Sequence, residues 1–249
     1  MWDEAQRIEL ARITERDRQI AALSVRRSLP PRYAGMLDAE PGDDDSNWQY
    51  LPLVGLGVYA YRGRRVRQDV TRRQLDRAIA GVENDAKALS TNRRVEPDPW
   101  ALGVVDVVKS ATLIGGAFAR GGWAMLDERE LAYMERHILE ELGYLDGFAD
   151  GLIDGSVPPD GRFVRRAMLY GAAGWAFYQL LRQSIAGGRG FVEERNVLDP
   201  GAEHCFGCVE ETARDWQPLG TLVPVGDRQC LSRCRCYIEY RKNTGETAT

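Results

Sequence analysis

Apolar positions recur at helical spacing through most of the first 190 residues. Over 3–27, Ile8, Leu10, Ala11 and Ile13, then Ile20, Leu23 and Val25, sit among alternating Arg, Glu and Asp, with no Gly or Pro until Pro30. This predicts a highly charged helix with a narrow apolar stripe, suited either to a bundle or to docking on a partner. Leu75, Ile79, Val82 and Leu89 place another helix over 70–89. Pro99 then stands just before the first turn of a helix starting at Trp100. Its Val104, Val105, Val107, Val108, Leu113 and Ile114 make it apolar nearly all round, as a buried helix is, while Gly115, Gly116, Gly121 and Gly122 are expected to weaken its end. The clearest helix covers 126–145, with Asp127 as N-cap, Glu128 and Glu130 in the first turn, and Leu131, Met134, Ile138, Leu142 and Leu145 as its core stripe. His137 flanks that stripe and reads as a surface or boundary histidine. After a turn at 155–161, residues 162–184 form a further helix. Its Ala167, Tyr170, Gly171, Gly174, Trp175 and Tyr178 imply close helix–helix approach.

The pattern changes near residue 190. Residues 216–224 suit a short strand or turn, and Tyr237-Ile238-Glu239-Tyr240 alternates as a closing strand does. The fold class expected is mainly α, a helical bundle-like body with a small C-terminal zinc-ribbon-like α+β module. The divisions are 1–45, a charged helix and a Pro/Gly/Asp-rich linker; 46–190, the helical body; and 191–249, the cysteine-rich module.

Composition changes this picture little. At 44% hydrophobic and 28% charged, the 249 residues are ordinary for a globular protein, and a net charge of −4 gives no general attraction to nucleic acid or anionic membrane. The start, Met1-Trp2-Asp3-Glu4, lacks a basic-then-apolar leader. The most apolar stretch, 100–125, is interrupted by Asp106, Lys109 and Arg120 and is expected to fall short of the ~20 residues of a membrane span. The compartment expected is therefore a reducing cytoplasm, with no membrane partner.

Candidate chemistry lies at the C-terminus. All five cysteines fall after residue 204, as His204-Cys205-Phe206-Gly207-Cys208 and Cys230-Leu231-Ser232-Arg233-Cys234-Arg235-Cys236. In a reducing compartment, two tight cysteine clusters hold metal more often than they form disulfides, and soft thiolates suit Zn²⁺. The simplest ligand set is Cys205, Cys208, Cys230 and Cys234, with Gly207 relieving the first loop. Cys236 is an alternate to Cys234, and His204 an alternate to one thiolate, although His204 and Cys205 are adjacent and strained as joint ligands. Four thiolates leave no open position for water, so the zinc expected is structural.

Residues 62–77 hold seven Arg against Asp69 and Asp76. Arg62, Arg64, Arg65, Arg67, Arg72 and Arg73 read either as a solvated helix face or as a DNA-facing patch; no aromatics interleave to stack on bases.

The run Glu193-Glu194-Arg195-Asn196-Val197-Leu198, then His204-Cys205-x-x-Cys208, Trp216-x-Pro218-Leu219-Gly220-Thr221-Leu222 and Cys230-x-x-x-Cys234-Arg235-Cys236, resembles the C-terminal region of Mu-type head morphogenesis (minor head or minor capsid) proteins of tailed phages. Residues 144–149 and 166–171 resemble the helical part of such proteins, and the likeness covers roughly 125–242. In many members a His stands where Cys230 does, two residues before the Cys-Arg-Cys rather than three. The resemblance implies a virion head component, assembled in the host cytoplasm, that binds capsid or portal protein and packaged double-stranded DNA, with no small-molecule substrate and no enzymatic activity. Two rivals are a zinc-ribbon DNA-binding accessory protein and a zinc-dependent hydrolase or deaminase-like enzyme using Glu210 or Glu211. The deaminase scheme wants an open zinc position and a Glu ahead of the C-x-x-C pair, not after it.

Overall fold

The computed structural model describes residues 2–28, 76–77, 80–88, 90–91, 97–120, 126–225, 228–230, 234–242 and 247–248. The N-terminal stretch forms two helices where the apolar stripe predicted one: α1 (Glu4–Ala11) and α2 (Glu15–Ser28). Asp3 and Gln6 form a capping box for α1. The break has a local cause. The Thr14 hydroxyl accepts from the Asp17 backbone N–H while the Asp17 carboxylate accepts from the Thr14 N–H and hydroxyl, a second cap that starts a new helix. The Ile13 N–H between the helices donates to Glu135, 2.9 Å away. Both helices dock on this chain as bundle elements. Asp146 accepts from the Trp2 N–H and pairs with Arg7, and buried Lys109 pairs with Asp17 at 2.9 Å. Ala11 and Ala21 are buried in these contacts, whereas Ile8, Ile20 and Leu23 of the predicted stripe are exposed.

Residues 80–88 are helical, as the 70–89 pattern predicted for that part. The body continues with α3 (Pro97–Arg120), α4 (Glu128–Ile153) and α5 (Gly161–Gly188). The helix α3 starts two residues before Pro99. Its Val104, Val105, Val108, Leu113 and Ile114 are buried, as the all-round apolar pattern requires. Gly115 and Gly116 do not weaken it. A Cβ on Gly115 would lie 2.5 Å from the Gly174 carbonyl oxygen, and one on Gly116 would strike the Met134 side chain, so both let neighbouring helices approach. The membrane expectation is also corrected in one respect: the 22 residues Pro99–Arg120 are long and apolar enough to cross a bilayer, and 72% of that apolar window is buried within this fold.

Asp127 caps α4 as predicted, here in a capping box with Glu130, and the helix runs eight residues past Leu145. Asp160 caps α5 by accepting from the Arg162 and Phe163 N–H groups. Trp100, Phe148 and Phe163 form an aromatic group at one end of the body, with ring centroids 5.3–5.9 Å apart.

Gly190, at φ +80°, reverses the chain after α5 and leads into β1 (Glu193–Val197). Then follow α6 (Phe206–Ala213), β2 (Gln217–Pro218), β3 (Tyr237–Arg241) and β4 (Thr247–Ala248), in an antiparallel sheet ordered β2-β1-β3-β4. The closing strand is β3, but Ile238, Glu239 and Tyr240 are all buried, so it does not alternate as expected; Arg195 covers Glu239 at 2.7 Å. Module and body share one core, in which Phe118, Trp175 and Leu181 join Cys208, Leu222, Cys234, Ile238 and Tyr240.

Candidate metal centre

Cys205 is the N-cap of α6, and its carbonyl accepts from the N–H groups of Cys208 and Val209. The C-x-x-C spacing is thus one turn of helix, which sets the two thiols on one side, Sγ to Sγ 3.5 Å. Gly207 relieves no tight loop: it lies inside α6, and a Cβ there would meet nothing within 4 Å. The second half arrives through the sheet. The β1–β3 register sets Val197 opposite Tyr237, bringing Cys234 and Cys236, just before β3, beside the start of α6.

All five cysteines are free thiols, and Cys208 is their centre. Its Sγ lies 3.4 Å from Cys230, 3.4 Å from Cys234 and 3.5 Å from Cys205. Cys208, Cys234 and Cys236 are buried; Cys205 and Cys230 are partly exposed. The ligand atoms of Cys205, Cys208 and Cys230 lie within 4.8 Å of one another, as do those of Cys208, Cys234 and Cys236. His204 turns away from Cys205: its Nδ1 is 3.7 Å from the Cys236 Sγ and its Nε2 is 2.8 Å from the Asp199 carbonyl oxygen. The neighbours therefore face different partners, which removes the strain expected of them.

Cys234 loses its proton most readily. The Cys236 thiol hydrogen-bonded to it lowers its pKa to about 5. The reciprocal hydrogen bond from Cys234, with burial, pushes Cys236 up; burial and the Cys234 charge do the same to Cys230. A bound metal ion would erase this order, because coordination favours the thiolate and expels the remaining protons.

Three residues outside the cysteine pattern build the surroundings. Arg228 is 4% exposed, and its guanidinium donates twice to the Val223 carbonyl, at 2.8 and 2.6 Å, and once to Asn196 Oδ1 at 2.7 Å. The same Nη1 points at the Cys208 Sγ from 3.9 Å. Among the described residues no carboxylate pairs with Arg228, and the Cys208 thiol stands beside its guanidinium. Asn196, in β1, donates its amide to the Cys208 carbonyl and to Thr212, holding α6 against the sheet. Glu194, 1% exposed, accepts from Gly220 N, Leu222 N and the Gln183 side chain, and so anchors the chain approaching Val223 to α5. The run containing Glu194 and Asn196 is conspicuous in the sequence, but nothing local marks Arg228 among so many arginines.

These residues fit a thiophilic metal ion. The Sγ separations lie near the edge of about 3.8 Å that a tetrahedral zinc–thiolate site has when Zn–S is about 2.3 Å. A buried cation beside thiols favours anionic sulfur. The cysteine groups lie close enough together to hold an ion. Of the acids proposed for catalysis, Glu211 pairs with Arg214 at 3.1 Å and Glu210 is exposed. Arg62, Arg64, Arg65, Arg67, Arg72 and Arg73 lie outside the described residues. No family model matches the chain, and comparison with curated proteins and with solved structures finds no match.

Proposed function

We propose that the chain is a structural or assembly component of a tailed-phage head, of the minor capsid or head morphogenesis kind. It acts by binding portal or capsid protein, and a structural Zn²⁺ locks its C-terminal module. The observation that supports this reading is where the stretches resembling that family fall. They become β1, the head of α6 and the approach to β3, and they meet around one group of thiols.

Zinc is the ion preferred because it accepts a thiolate tetrahedron with no redox chemistry of its own. The ligand set best supported for a single ion is Cys205, Cys208, Cys230 and Cys234, since Cys208 has the other three at 3.4–3.5 Å. Cys236 and His204 remain its alternates. The module is zinc-ribbon-like in joining two cysteine clusters to a small antiparallel sheet, with one difference: its first pair rides on a helix. Four thiolates leave no position for a reactive water, so the role proposed is binding, without catalysis. The helical body offers the docking surface for head proteins, and the 62–77 arginines would face packaged DNA.

Co-expression with the portal and major capsid proteins of the same genome, followed by gradient sedimentation, tests the reading. The chain is expected to travel with assembled particles at low copy number. If it stays at the top of the gradient and instead binds duplex DNA with steep salt dependence, the accessory DNA-binding reading replaces this one.

A further inference from the structure

We propose that the cluster holds two metal ions bridged by thiolates, with all five cysteines and His204 as ligands. This rests on the zinc reading above and extends it. The donors do not fall into one compact set of four. They fall into two sets of three, each mutually within 4.8 Å, and Cys208 belongs to both. Cys205 and Cys230 make up one set with it, Cys234 and Cys236 the other.

His204 stands beside the second set, next to Cys236. With its Nε2–H donated to the Asp199 carbonyl at 2.8 Å, the Nδ1 lone pair is left facing Cys236 at 3.7 Å. A ring whose other nitrogen is held by a backbone carbonyl is the posture of a metal-ligating histidine. Two four-coordinate ions need eight donor positions; six donors fill them when two thiolates bridge. Cys208 is one bridge by its shared position, and Cys234, 3.4 Å away, is the other. Cys205 and Cys230 then end one side, Cys236 and His204 the other.

Charge supports the same count. Five thiolates with two dications leave one net negative charge, which buried Arg228, its Nη1 3.9 Å from the Cys208 Sγ, balances. One ion on four thiolates leaves two negative charges against that one arginine. It also leaves the buried Cys236 without a role.

The test is elemental analysis of the full chain after extensive gel filtration, with native thiol counting. Two zinc ions per chain and five protected thiols are expected. His204→Ala and Cys236→Ser should each lower the content to one ion while Cys205 and Cys208 stay protected. One zinc per wild-type chain with Cys236 open to reagent overturns the two-ion centre and leaves the single structural zinc standing. No zinc overturns both.

Discussion

Arg228 carries its charge where water scarcely reaches, and the hydrogen-bond partners of its guanidinium, Val223 and Asn196, lie within the module. Replacing it with Met strands the Val223 carbonyl and Asn196 Oδ1 and leaves the thiolates uncompensated, at a cost on the order of 3 kcal/mol. Arg228→Met is therefore expected to release the proposed zinc faster to a chelator and to unfold at lower urea, while Arg228→Lys, which keeps charge but not the fork, recovers part of the loss. His137 makes a separate prediction. Its ring packs on Phe177, centroids 5.1 Å apart, and burial holds its pKa below the ordinary 6.5, partly offset by the Ala173 backbone and by Glu140. The unfolded chain thus takes up this proton at higher pH than the folded one. Stability is lost as pH falls below about 6.5, and the loss stops growing below the folded pKa. Urea titrations across that range should show a shallower decline for His137→Phe.

The decisive contact between elements is the crossing of α3 and α5. A Cβ on Gly174 would lie 2.6 Å from the backbone carbonyl carbon and oxygen of Ala111, neither of which can turn aside. Gly174→Ala is expected to destabilise by about 2–3 kcal/mol, through forced separation of the helices. Gly143 in α4 is the control: a Cβ there meets nothing within 4 Å. Gly143→Ala should stabilise by roughly 0.5–1 kcal/mol, through helix propensity alone. Opposite shifts of the urea midpoint for these two variants would establish that the crossing, not helicity, requires Gly174. The caps were legible beforehand at Asp127, because N-capping depends on residues three apart. Thr14-x-x-Asp17 was equally legible, and the continuous stripe over 3–27 concealed it. The tolerance of α3 for Gly115 and Gly116 was not legible, since it depends on what α5 and α4 place against them.

Across the whole molecule, module and body are joined by a common core, so metal loss should propagate. Chelation is expected to remove hydrogen-exchange protection first from 193–242, then from the C-terminal turns of α5 that pack on Ile238 and Tyr240, while the aromatic end around Trp100, Phe148 and Phe163 stays protected. Uniform loss along the chain would mean the metal holds the body as well. The sequence by itself determined the helices of the body, the cap at Asp127, the closing strand and the candidate thiols. These follow from periodicity, capping and thiol chemistry, which act within a few residues. Only the tertiary structure decided which donors face one another, that α6 carries the first pair, and that Arg228 rather than a carboxylate stands beside Cys208. The contacts of Cys208 with Cys234 and Arg228 join residues twenty or more positions apart, through the β1–β3 pairing and the burial of a charge that no local pattern records.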